Sequence, residues 1–113
     1  MNYEAMSDFE INKAVAELIH SKARIETYWH KDTMRDQVRI EWSMGSFTSD
    51  FDPCNNPADA WPIIEANNIS VQNWDDYSRA WVSDNCDIEF HDEESCRGLR
   101  AAMIVYLMMQ ESK

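Results

Sequence analysis

The sequence predicts an α+β fold: a small antiparallel or mixed sheet packed against an N-terminal helix and a buried C-terminal helix. Three observations predict it. A capped run of helical period stands near the start, two runs of period two follow, and an apolar stretch of nine residues, Ala101 to Met109, lies near the end.

Ser7-Asp8-Phe9-Glu10 reads as a capping box, in which the serine hydroxyl accepts from the third helical amide and the glutamate reaches back to the serine amide. Ile11, Val15, Leu18 and Ile19 then recur at helical spacing through about His20, with Asn12, Lys13 and Glu17 on other sides. From Arg24 the period is two: Ile25, Thr27 and Trp29 alternate with Arg24, Glu26, Tyr28 and His30. Val38, Ile40, Trp42 and Met44 alternate with Arg39, Glu41 and Ser43 after a polar connection over 31–37, so the two runs form an antiparallel hairpin. Gly45 ends the second strand, and 46–56 reads as a polar loop anchored by Phe47 and Phe51.

Asn56-Pro57 is a helix-start signal, but Pro62 clashes with the carbonyl four residues before it. The expectation is one irregular turn and then a short helix from about Ala60 to Ala66, closed by Asn67-Asn68, which tolerate the left-handed conformation. Shorter strands follow at 69–71, 79–82 and 86–90. Ser95 caps the last helix, from Cys96 to about Glu111. Its centre is apolar on every side, as in a helix buried between a sheet and another helix.

A chain of 113 residues has the usual size of a single domain and buries roughly 65% of its unfolded surface. With 44% of its residues hydrophobic and 12% aromatic, the chain is too apolar to be disordered in spite of its net charge of −11. The five tryptophans, Trp29, Trp42, Trp61, Trp74 and Trp81, read as core or core edge, with a binding surface as the alternative. Glu4, Asp8 and Glu10 interrupt any secretory signal, and nine apolar residues are too few to span a bilayer. No membrane association is expected. Cys54, Cys86 and Cys96 are odd in number and sparse, which fits reduced thiols in a cytosol.

Charge is the most usable guide to partners. Twenty-one acidic against ten basic residues repel phosphate backbones, so direct nucleic-acid binding is disfavoured. From Asp75 to Glu94 there are eight acidic residues against the single Arg79. That acidic face, including Asp84, Asp87, Glu89, Asp92, Glu93 and Glu94, either steers toward a basic partner or serves as a solvated surface.

Catalytic signatures are missing. No G-x-S-x-G or Walker loop is present, two glycines do not make a phosphate cradle, and the sequence supports no enzyme. Cys86, His91 and Cys96 follow half of a zinc-knuckle spacing, but the position of the first cysteine holds Ser83, so no metal and no cofactor is expected. Arg97 and Arg100, one turn apart at the start of the last helix, form a weak candidate for an anion site; the alternative is pairing with Asp92, Glu93 and Glu94. The paired carboxylates Asp50/Asp52 and Asp75/Asp76 read as solvated loops.

SDFEINKAVAE at the start, FDPCNNPADAWPII in the centre and LRAAMIVYLMM at the end together resemble the NinX family of small phage and prophage proteins. The matched stretches cover about half of the chain; 23–49 and 70–95 carry no shared pattern. The resemblance implies a gene of a lambda-like phage or prophage, expressed in the cytoplasm of a bacterial host. It transfers no catalytic residue. It does direct attention to Asp52, Pro53, Cys54, Asn55, Asn56 and Asp59, a polar, turn-rich loop. Either that loop binds a ligand, or Asp52 and Asn56 hold it by turn and cap hydrogen bonds while Cys54 packs inside. The leading expectation is an accessory protein that binds a macromolecule through its acidic surface. The other is a small ligand-binding domain or enzyme built on the 52–59 loop and the Arg97/Arg100 pair.

Overall fold

A turn of 3-10 helix at Tyr3–Ala5 leads into α1 (Asp8–Ile19), and three strands follow: β1 (Arg24–His30), β2 (Arg35–Trp42) and β3 (Phe47–Phe51). After α2 (Pro57–Ala66) come β4 (Ile69–Asn73), β5 (Ser78–Val82) and β6 (Glu89–Asp92), and α3 (Gly98–Glu111) closes the chain. The computed structural model describes residues 2–32, 34–42, 47–74, 77–82, 88–92 and 97–111. The expected α+β architecture is present as two antiparallel three-stranded sheets, ordered β1-β2-β3 and β4-β5-β6. α3 packs against every strand of the second sheet and against α1 and α2, and α1 also packs on the first sheet. Among the described residues no helix is long and apolar enough to cross a membrane.

The capping box is formed: Ser7 Oγ accepts from Glu10 N at 3.2 Å and Glu10 Oε1 accepts from Ser7 N at 3.1 Å. The buried stripe of α1 is Ile11, Asn12, Val15 and Ala16. Leu18 and Ile19, expected on that face, are 46% and 38% exposed, so the apolar contact ends with Ala16. In the hairpin Ile25 faces Ile40 and Thr27 faces Val38. β2 begins three residues before the expected Val38, because Arg35, Asp36 and Gln37 complete the ladder opposite His30, Trp29 and Tyr28. Backbone pairing needs no apolar side chain. Met34, at φ 56°, closes the turn.

Two further expectations are corrected. Residues 47–51 are a strand rather than loop: they pair in antiparallel register with β2, Phe51 is buried, and Ser49 lies opposite Ile40. The polar residue that disguised the strand is occupied on the outer face, where Asp50 accepts from the Tyr28 hydroxyl at 2.7 Å and lies 3.9 Å from Arg39. α2 runs unbroken through Pro62. The proline forfeits only the bond to the Ala58 carbonyl, one residue into the helix, while Ala60, Ile63 and Ile64 bury the inner face. Asn56 caps this helix by accepting from Ala58 N at 3.0 Å, and Asn68 adopts the expected left-handed conformation at φ 54°.

Ala101 to Leu107 of α3 are all buried, and the core around them is mostly aliphatic, with Tyr3, Phe51 and Tyr106 as its buried aromatic residues. None of the tryptophans lies in it: Trp29 and Trp61 are more than half exposed, Trp42 is half-buried and packs against the core, and Trp74 and Trp81 are half-buried away from it. Ser95 and Cys96, the expected cap and first residue of α3, lie outside the described residues, as do Cys86 and Asp87 of the expected last strand. The start of α3 is held by the second sheet. Ser78 Oγ accepts from Arg97 N at 2.9 Å and Asn73 Oδ1 from Gly98 N at 3.0 Å. A Cβ on Gly98 would lie 2.6 Å from a Val71 methyl, so only glycine allows this approach.

His20 follows α1 and packs edge-on against Trp42 and Phe51, at centroid distances of 4.9 and 5.0 Å. Burial lowers its pKa from 6.5, and the nearby Asp59 opposes the shift in part. Below pH 6.5 the unfolded chain therefore takes up a proton that the folded chain declines, and stability falls until the folded imidazole titrates too. Denaturant melts at stepwise lower pH should show the difference between wild type and His20→Gln changing below pH 6.5 and staying constant above pH 7.5. A difference independent of pH would show the imidazole to be unperturbed.

Candidate functional site

The 52–59 loop is anchored from beneath by one buried side chain of α1. Asn12, 5% exposed, donates from Nδ2 to Asp52 Oδ1 at 2.7 Å and accepts from Cys54 N on its Oδ1 at 3.1 Å. Asn12 stands one turn before Val15 and Ala16, so helical spacing alone places it on the buried stripe. Its polarity placed it on the outer side in the sequence reading. Asp52 N donates to Asp59 Oδ2 at 2.9 Å, and Asp52 O accepts from Asn56 N at 2.7 Å. Asn55 Nδ2 reaches both Asp52 Oδ1, at 3.0 Å, and Asp8 Oδ2, at 3.2 Å. Five predicted loop residues are thus brought together, with Asn55 and Asn56 exposed and Cys54 buried. Burial raises the pKa of the Cys54 thiol, and the negative charges of Asp8 and Asp52 raise it further. A thiol held neutral in this way is a poor nucleophile and a poor metal ligand.

Arg97 and Arg100 reach the same place from the start of α3. Both guanidiniums meet Asp8 Oδ1, Arg97 through Nη2 and Arg100 through Nε at 3.2 Å. Arg97 also donates to Asn55 Oδ1 at 3.3 Å, and Arg100 to the carbonyls of Met6 at 2.8 Å and Tyr3 at 3.2 Å. An anion arriving there meets a carboxylate already in position. The sequence reading missed Asp8 as a member, although its place four residues before Asn12 puts both on one stripe. Of the alternative partners, Glu93 and Glu94 lie outside the described residues, as do Asp84 and Asp87 of the acidic face. Glu89 lies on β6 and pairs with Arg79 at 2.7 Å, and Asp92 ends that strand.

Beside this junction a cleft of about 410 Å³ opens between the start of α1, the turn end of the β1-β2 hairpin and the loop. Phe9, Trp29 and Met34 supply apolar wall; Asp36, Asp52 and Asn55 supply polar groups. The cleft adjoins the loop through Asp52 and Asn55, and the two arginines stand behind Asp8.

Among known protein families, a model described as Bacteriophage P22, NinX, matches residues 2–110. The chain belongs to the NinX family. The match takes in 23–49 and 70–95, the segments with no recognisable pattern of their own. Neither the curated proteins nor the solved structures contain a match. In this NinX chain the family-like stretches, dispersed in sequence, meet in space: the opening one supplies Asp8 and Asn12, the central one Asp52 to Asp59, and the closing one Arg100. Among the described residues no group of three or more His, Cys, Asp or Glu side chains is placed to hold a metal ion. Cys86 and Cys96 of the zinc-like spacing lie outside the described residues, and His91 lies on β6.

Proposed function

We propose that this NinX-family chain is a phage or prophage accessory protein of the bacterial cytoplasm that works by binding a basic host or phage macromolecule through its acidic surface. The observation that carries this reading is the net charge of −11, most concentrated between Asp75 and Glu94. Such a field raises the encounter rate with positively charged partners and repels nucleic acid and anionic membranes. Two exposed apolar side chains beside the loop, Trp29 at 56% and Met34 at 70%, favour a macromolecular contact as well.

The cleft favours a second reading, a ligand-binding domain or small enzyme built on Asp52, Cys54, Asn55, Asn56 and Asp59 with Arg97 and Arg100. Against it stand the neutral Cys54 thiol and the placement of Asp8 against both arginines.

Association with a captured basic partner should slow as salt rises, because surface charge is screened within about 8 Å at physiological ionic strength. Replacing Asp87, Glu89 and Glu93 by their amides should slow association more than it speeds dissociation, since rim charges act mainly on encounter. Affinity indifferent to both salt and the triple replacement would leave the acidic face as a solubility device.

A further inference from the structure

We propose that the cleft between α1, the hairpin turn and the loop is the point at which a lysine or arginine side chain of the partner is recognised, with Trp29 as its platform and Asp36 as its counter-ion. This rests on the reading of the protein as a binder of basic partners and gives that reading a site. The geometry comes from the hairpin register: Trp29 and Asp36 are direct cross-strand partners, so both side chains leave the same face of the sheet. Residues paired in this way have Cβ atoms about 5 Å apart, the separation at which a cation resting on the indole also reaches the carboxylate.

The neighbouring charges are already engaged. Asp8 holds Arg97 and Arg100, and Asp52 lies 3.6 Å from Arg35 and accepts from Asn12 and Asn55. Asp36 has no ion-pair partner among the described residues and is exposed. Met34 and Phe9 offer apolar contact for the methylene stem of a long basic side chain. Charge complementarity selects this occupant over others. A second copy of this chain brings −11 against −11, a nucleic acid brings phosphates to a carboxylate, and a purely apolar segment leaves Asp36 desolvated without a partner.

The test is a titration of the full ¹⁵N-labelled chain with hexa-arginine peptide in about 0.15 M salt, with hexa-glutamate as the control. The indole N–H of Trp29 and the backbone amide of Asp36 should shift with saturation, and hexa-glutamate should move neither. Trp29→Ala and the near-isosteric Asp36→Asn should each weaken binding about 5-fold, the scale of one exposed cation–π contact or ion pair. Binding unchanged in both variants but weakened by the Asp87, Glu89 and Glu93 triple replacement would overturn the cleft and leave the acidic-surface reading standing. No binding of hexa-arginine at all would overturn both.

Discussion

Leu107→Ala should lower stability by about 2–5 kcal/mol, the range for removing a leucine side chain from a core that closes only in part around the cavity. For a domain of this size that loss lowers Tm by roughly 8–20 °C. The size of the effect follows from position. Leu107 is 5% exposed and sits in the aliphatic cluster with Ile11 and Val15 of α1, Ile63 and Ile64 of α2 and Ala80 and Val82 of β5. α3 is the element that both sheets and both other helices share, directly or through α1, so a cavity there has walls drawn from the whole fold. Leu18→Ala supplies the internal control: Leu18 is 46% exposed, and its truncation should change stability by about 0.5 kcal/mol or less. Melting of Leu107→Ala within a degree or two of wild type, or equal losses for the two leucines, would remove α3 from the centre of the fold.

The contrast between these leucines also marks how far the sequence could be read. Features that depend on neighbours within about one helical turn were legible: the Ser7 box, the Asn56 cap, the left-handed Asn68 and the apolar centre of α3 all stand where short-range chemistry puts them. Misreadings came where a partner distant in sequence decides. Asp50 looks like loop until Arg39 and Tyr28 engage it on the outer face of β3. Pro62 looks like a helix breaker until the burial of Ile63 and Ile64 outweighs one lost backbone bond. Hydrophobicity points the tryptophans inward, yet the interior is filled by aliphatic side chains with Tyr3, Phe51 and Tyr106, Trp42 packs at its edge, and Trp29 and Trp61 are more than half exposed. In the candidate site the loop was legible as a motif, and so was the alternative that it holds itself together. Its anchors were not, because Asn12 to Asp52 spans 40 residues and Asp8 to Arg97 spans 89, separations that leave no periodic trace.

Asp8→Asn is the substitution that tests the junction, and its expected cost is about 2–4 kcal/mol, toward the lower part of what removing one member of a buried charge pair costs. Asp8 lies in the first turn of α1, where the helix dipole already favours a carboxylate, and it receives a guanidinium from each of Arg97 and Arg100. The Arg100 side chain is only 9% exposed, so most of its charge has left water and depends on fixed acceptors; the Asp8 side chain retains 26%, which tempers the penalty. An asparagine preserves the shape but presents at most one acceptor oxygen, with an amide where Asn55 now donates. Both arginines lose the carboxylate they share, and α3 loses a polar link to α1. The comparison is Glu26→Gln, whose partner Arg24 is 72% exposed, and which should cost about 1 kcal/mol or less. A double-mutant cycle between Asp8→Asn and Arg100→Met should return a coupling energy above about 1 kcal/mol, since the two side chains are in contact and mostly out of solvent. Coupling near zero, with Asp8→Asn as mild as Glu26→Gln, would mean that the carboxylate is a surface neighbour of the arginines and that the loop, α1 and α3 are joined by packing alone.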